Sequence, residues 1–172
     1  TMANEPHVLV VDDEEGLRYS LSVLLKKKGY RVSAVENGQM ALQALDSMNP
    51  DFILCDLRMP VMDGLTFLQE SKRRNFEKPI IVMSAYGTID QAVEAMRLGA
   101  YDYIGKPFNS DEILVVLQRA AERELLRAEN LRLRQAAQAA ADREIITDDS
   151  AMLELMAMAR KVAGFKSTVL IV

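Results

Sequence analysis

The sequence predicts an α/β protein: a five-stranded parallel sheet in a three-layer α/β/α sandwich, followed by a long linker helix. Three observations lead there. Short runs rich in Val and Ile recur at residues 7–11, 31–35, 52–55, 79–83 and 102–104. Each is too short for a helix and reads as a buried strand. Segments of helical spacing separate them, and strands that alternate with helices imply a parallel sheet covered on both faces. From residue 118 to about 143 there is neither Gly nor Pro, and Ala, Leu, Glu, Arg and Gln dominate. That composition favours one continuous helix running beyond the sheet.

The helices follow in order. Leu17, Leu21, Leu24 and Leu25 line the apolar face of the first, and Met40, Ala41, Ala44, Leu45 and Met48 that of the second. Leu65, Leu68 and Lys72 mark the third, and Ile89, Ala92, Val93 and Met96 the fourth. Gly29, Asn49-Pro50 and Gly99 stand where the first, second and fourth should stop. The fifth opens at Asn109-Ser110-Asp111-Glu112, a capping residue with an acid three positions later. Ile113, Leu114 and Leu117 form its inner face.

Farther along the fifth helix, Leu126, Asn130, Leu133, Ala137 and Ala140 alternate at spacings of four and three. This is a short heptad seam with Asn130 at an interior position. It reads either as a dimeric coiled coil or as a solvated linker. Residues 145–150 then break the pattern. Ser150 reads as the cap of a further helix whose buried face is Met152, Leu155, Met156, Ala159 and Val162. Residues 169–172 look strand-like.

Composition narrows the function classes. The chain has 172 residues, 49% of them apolar, and a formal net charge of −4. Charges of both signs are mixed, with no basic stripe of the kind that binds nucleic acid. Cys55 is the only cysteine, so no intramolecular disulfide can form. No apolar run approaches the roughly 20 residues that span a bilayer, and residues 1–7 lack the pattern of a signal peptide. The expectation is a cytoplasmic protein with no membrane partner.

Chemistry gathers where the strands end. The first ends in Asp12-Asp13, the third in Asp56, the fourth in Ser84, and the fifth just before Lys106-Pro107. In open parallel sheets ligands bind at these carboxyl ends, so three carboxylates, a hydroxyl and an amine are expected in one pocket. Carboxylates this crowded repel one another unless a cation is present, and oxygen ligands suit Mg²⁺. A metal and a lysine beside a carboxylate make a site for phosphoryl oxygens. Asp56 can then be the nucleophile that forms an acyl phosphate, with Ser84 and Lys106 each taking a phosphoryl oxygen. Singly, Asp12 or Asp13 would read as a helix cap and Lys106 as a surface lysine. Only their joint placement argues for a site. Cys55 points to the other side of its strand and reads as a buried small residue. His7, at the opposite end of its strand, is given no role.

These residues carry a resemblance. Val8-Leu9-Val10-Val11-Asp12-Asp13-Glu14, the segment from Asp51 through Asp56-Leu57-Arg58-Met59-Pro60 to Asp63-Gly64, Met83-Ser84-Ala85, and Gly99 through Lys106-Pro107-Phe108 resemble a bacterial response-regulator receiver domain over about residues 5–122. The resemblance implies a flavodoxin-like, CheY-like fold. It also implies that Asp56 is the phospho-acceptor, with Mg²⁺ held directly by Asp13 and Asp56, by Asp12 through water, and by the backbone carbonyl of Arg58. Ser84 and Lys106 would read the phosphate, the Lys106–Pro107 bond would be cis, and Tyr103 would be the aromatic switch. The implied partners are a sensor histidine kinase and a second copy of the chain, joined through Leu126, Asn130, Leu133 and Ala137.

Glu129-Asn130-Leu131-Arg132-Leu133 resembles the linker of NtrC-like activators. Residues 146–172 resemble the start of their AAA+ ATPase domain, without the Walker A loop that would follow. The expected organisation is a receiver at 1–122, a helical linker at 123–144 and the truncated start of an AAA+ domain at 145–172. An intact sigma-54-dependent activator would hydrolyse ATP and engage sigma-54 RNA polymerase and promoter DNA. This chain would be regulatory and not an enzyme. Two competing readings are an aspartyl-phosphate phosphatase, which usually needs a second Asp where Arg58 stands, and a constitutive dimerisation module.

Overall fold

The structure is a computed structural model and describes residues 5–85, 89–141 and 149–162. Five strands, β1 (His7–Val11), β2 (Arg31–Val35), β3 (Phe52–Asp56), β4 (Ile80–Ala85) and β5 (Asp102–Lys106), form one sheet in the order β2-β1-β3-β4-β5. Every pairing is parallel. The helices are α1 (Glu15–Lys27), α2 (Gly38–Ser47), α3 (Gly64–Arg73), α4 (Ile89–Leu98), α5 (Ser110–Ala141) and α6 (Ser150–Val162). Contacts divide the chain into two units, Thr1–Leu126 and Arg127–Val172.

The central strands β1 and β3 are buried along their whole length, as expected for strands covered on both faces. Alternation along the strands separates two cores. Leu9, Val11, Ile53, Cys55 and Val82 pack with Ala41, Phe67, Leu68 and Ala95 on one face. Val8, Val10, Leu54, Ile81 and Met83 pack with Leu21, Leu25, Ile113 and Leu117 on the other. Three strands run farther than their apolar letters suggest. The ladder continues through Asp56↔Met83, Ser84↔Gly105 and Ala85↔Lys106, because backbone pairing does not require apolar side chains.

The helix caps follow the sequence signals. Gly29 (φ 85°) and Gly99 (φ 107°) follow α1 and α4 in the left-handed conformation that L side chains avoid. There Tyr30 N–H donates to the Leu25 carbonyl at 3.1 Å and Ala100 N–H to the Ala95 carbonyl at 3.0 Å. Asn109 and Glu112 cap α5 reciprocally, at 2.9 and 3.2 Å. The Lys106–Pro107 peptide is cis.

Several expected inner faces are corrected. On α2, Met40 is 41% exposed and Leu42 takes the core position. On α3, Lys72 is exposed, whereas Phe67 and Ser71 are buried. On α4, Val93 and Met96 are exposed and Ala95 is fully buried. At about 100° per residue, neighbouring apolar positions compete for one inward direction. A small residue such as Ala95 wins where the helix lies close to the sheet.

In the second unit, Met152 and Leu155 of α6 are 41% and 46% exposed, and Ala159 is exposed with Met156 half-buried. The expected buried face is therefore uncovered among the described residues. Asp149, not Ser150, caps this helix, accepting from Ala151 N–H at 3.0 Å. Along α5, Leu126, Asn130, Leu133 and Ala137 are all exposed in the single chain. The side chains of Ala140 and Val162, and residues 142–148 and 163–172 with their strand-like run, lie outside the described residues. None of the described helices is long and apolar enough to cross a membrane.

His7 has a structural part that no motif in the sequence marks. Its ring is buried, with Nδ1 3.1 Å from an Arg31 guanidinium nitrogen and Nε2 2.9 Å from Ser33 Oγ. Arginine can only donate, so Nδ1 accepts, and Nε2–H donates to Ser33. This is the neutral ring. Burial and the Arg31 charge hold its pKa below the usual 6.5, partly offset by Asp51. The unfolded chain therefore takes up a proton that the folded chain refuses. This contribution to stability is intact above pH 6.5 and is lost as the pH falls from there toward the lowered value. Urea denaturation between pH 7.5 and 5.5 should show stability falling, and His7→Gln should flatten that slope. An equal slope in both proteins would exclude His7 as its source.

Candidate functional site

The strand order places β1 between β2 and β3, so the crossovers leave β1 in opposite directions. This switch point at the carboxyl ends is where a doubly wound sheet opens a crevice. Asp12, just past β1, is fully buried. Its Oδ1 accepts from Glu14 N–H at 2.9 Å, and its Oδ2 lies 2.6 Å from Lys106 Nζ. Asp56, the last residue of β3, presents Oδ1 to the same Nζ at 2.6 Å. Its Oδ2 accepts from Arg58 N–H at 2.7 Å. One ammonium is thus forked between two carboxylates.

Burial raises the Asp56 pKa and the Asp12 charge adds to that, against the opposing pull of Lys106 and the Arg58 N–H. Burial alone would lower the Lys106 pKa. Its hydrogen bonds and charge pairing with both aspartates outweigh this and hold it above the usual value. The ammonium is therefore fixed, while Asp56 carries its charge at a cost.

The expectation of three carboxylates in one pocket is met for two of them. Asp13 is exposed and faces an adjoining cleft of about 410 Å³, lined also by Leu57, Arg58, Met59, Pro60, Asp63, Leu65 and Gln91. Among the described residues no three acidic, histidine or cysteine side chains gather as a ready metal cluster. Lys106 takes the space between Asp12 and Asp56, and its charge does what a third ligand group would otherwise require of a cation. The donor set still fits Mg²⁺, which takes one or two carboxylates and keeps several waters. Ser84 Oγ fits a phosphoryl oxygen: the residue is 1% exposed and its hydroxyl has no hydrogen-bond partner among the described residues. Tyr103 is half-buried on β5 and packs against the core that holds Ala95 and Ala100.

The connection after Asp56 is held tightly. Asp63 caps α3, accepting from Thr66 N–H at 2.8 Å. Gly64 N–H donates to the Leu57 carbonyl at 3.1 Å. A Cβ at Gly64 would run into the Asp56 carbonyl oxygen and come within 2.9 Å of Leu57 Cα. Val61, 83% exposed, holds φ 68°, a strained value for a β-branched residue. Gln91 also belongs to this region, and no motif in the sequence marks it.

The receiver-domain family of response regulators matches residues 8–118. The regulatory protein AtoC of Escherichia coli is 36% identical over 95% of this chain and 36% of its own length. The transcriptional regulator NtrC of the same organism is 43% identical over 66% of this chain and 24% of its own length. Among solved structures, NtrX from Brucella abortus superposes with a TM-score of 0.73 at 31% identity, covering 93% of this chain and 35% of that one. The chain belongs to the response-regulator receiver family of two-component signalling, and AtoC, NtrC and NtrX are among the proteins it is similar to. It spans about a third of the length of relatives such as AtoC.

Two outcomes follow from the geometry. Because the folded state raises the Asp56 pKa, the ionised carboxylate destabilises the fold at pH 7. In Mg²⁺-free buffer Asp56→Asn should raise the thermal midpoint, and the gain should shrink on adding Mg²⁺. A lower midpoint would mean that Lys106 pairing dominates. Gly64→Ala should cost about 1–3 kcal/mol in urea denaturation, since backbone and not a flexible side chain stands in the way. A neutral result would contradict the close approach of α3 to Asp56.

Proposed function

We propose that this chain is a phosphorylation-switched receiver in which a sensor histidine kinase transfers a phosphoryl group to Asp56 in the presence of Mg²⁺. The observation that carries the reading is the Lys106 fork between Asp12 and Asp56 beside the Ser84 hydroxyl, which has no partner among the described residues. A carboxylate oxygen of Asp56 bonds to phosphorus as the bond from phosphorus to the kinase's histidine nitrogen breaks, its electron pair remaining on the imidazole. Asp13, Asp56, the Arg58 carbonyl and, through water, Asp12 would hold Mg²⁺, which would supply charge that offsets the phosphoryl oxygens. Lys106 gives up its bond to Asp56 in favour of one phosphoryl oxygen while Asp12 keeps it in place. Ser84 Oγ donates to another.

Movement of Ser84 toward the phosphoryl group frees space into which Tyr103 turns, and the face formed by α4, β5 and α5 changes shape. This is a shift between two states a few kcal/mol apart. In our reading residues 1–122 are the receiver, and residues 123–144 are a linker that pairs with a second copy through Leu126, Asn130, Leu133 and Ala137. Residues 145–172 begin an AAA+ domain. In a longer cytoplasmic protein the change would control ATP hydrolysis and sigma-54-dependent transcription. The likeness to NtrC, AtoC and NtrX supports this assignment. The exposed leucines along α5 support the pairing.

Light scattering with Mg²⁺ alone, and then with Mg²⁺ plus beryllofluoride as a mimic of the aspartyl phosphate, tests the switch. The expected result is a change in mass or shape that Asp56→Asn abolishes. A constant mass and shape in both conditions would remove assembly as the output.

A further inference from the structure

Two buried side-chain atoms lack a hydrogen-bond partner among the described residues: Ser84 Oγ and Gln91 Oε1. Folded proteins seldom leave such atoms unpaired. A phosphoryl oxygen accounts for the first but not for the second. Gln91 lies one helical turn before Ala95, which is fully buried in the core, so both stand on the inward face of α4. The Gln91 side chain lines the cleft shared with Asp13, Arg58, Met59 and Asp63. Arg58, which lines that cleft, also holds Asp56 Oδ2 through its backbone N–H at 2.7 Å.

The chemistry of the lining narrows what Gln91 can do. Asp13, Asp63 and Arg58 are charged, and Asp63 already accepts from Thr66 N–H. Among the lining residues Gln91 is the one neutral polar side chain able both to donate and to accept. A carboxylate there would repel phosphoryl oxygens and an ammonium would bind them. An amide can orient a water between them and remain unchanged with pH.

We infer that the Gln91 amide holds the water that hydrolyses the aspartyl phosphate on Asp56, and so sets how long the phosphorylated state lasts. The inference rests on the reading of Asp56 as phospho-acceptor. The water oxygen bonds to phosphorus as the bond from phosphorus to the Asp56 carboxylate oxygen breaks. The electron pair returns to the carboxylate, and both water protons leave on inorganic phosphate. Gln91 takes no proton and acts by positioning.

The test loads the protein from phosphoramidate with Mg²⁺, removes the donor, and follows the loss of protein-bound phosphate by intact mass. Loss of one hydrogen bond to the attacking water corresponds to roughly tenfold in rate. Gln91→Leu and Gln91→Ala should therefore both slow hydrolysis by about that factor. Their loading rate, beryllofluoride affinity and thermal midpoint should match the wild type, since none of these needs the water. Unchanged decay would overturn the proposal. So would a parallel loss of beryllofluoride affinity or thermal midpoint, which would mark a structural role. A wild type that takes no phosphate, or an Asp56→Asn variant that takes as much, would instead remove the phospho-acceptor reading on which the inference stands.

Discussion

The ammonium of Lys106, shared at 2.6 Å by Asp12 and Asp56, is the interaction on which the rest of this structure depends. It joins residues 94 positions apart and ties the edge strand β5 to the central strands β1 and β3. Asp12 is fully buried and Lys106 only slightly exposed, so water does little to screen the pair. Removing the ammonium would leave buried carboxylate uncompensated, which typically costs about 3–5 kcal/mol, whereas removing Asp56 alone leaves Lys106 paired with Asp12. The same fork leaves the site with more negative than positive charge, so it is stable enough to fold and still short of cations.

The loop after Asp56 is built to keep that carboxylate still. The start of α3 presses on the Asp56 backbone at Gly64. The start of α2 presses on the same loop, where Gly38 N–H donates to the Met62 carbonyl at 3.1 Å. A Cβ at Gly38 would lie 2.8 Å from Met62 Cγ. Two helix beginnings, capped by Asn37 and Asp63, thus enclose one connection. This arrangement holds Val61 in its strained conformation, since a free loop would relax it. Rigid backbone support is what precise positioning of a side chain requires.

α5 starts four residues after Lys106 and runs unbroken from Ser110 to Ala141. Its first turn is fixed by the Asn109–Glu112 box, and its inner face by Ile113, Leu117 and Ala120. Farther along, the Arg123 guanidinium sits 5.3 Å over the Tyr101 ring, a cation–π contact. Tyr101 itself is tied to β4 through the Ile80 carbonyl at 2.7 Å. The helix is therefore anchored to the strand that ends in Ser84 and follows the strand that ends in Lys106.

Much of this was legible in the letters. Strand and helix order, the parallel sheet, the caps at Gly29, Gly99 and Asn109, and the meeting of Asp12, Asp56, Ser84 and Lys106 at one edge follow from periodicity, turn chemistry and the rule for carboxyl ends. These are local signals, or consequences of topology that admits few solutions. The helix faces were only partly legible: Leu42, Phe67 and Ala95 displaced Met40, Lys72 and Val93, since a few tens of degrees of helix rotation decide burial and only the packed sheet sets that angle. The partners of His7 were invisible, because Arg31, Ser33 and Asp51 reach it across strands. The sequence could supply three carboxylates, but only the folded backbone set Asp12 and Asp56 around one ammonium, left Asp13 at the rim, and turned Gln91 toward the same cleft. Local chemistry is written residue by residue, whereas distances between residues far apart in the chain exist only once the sheet has closed around its core.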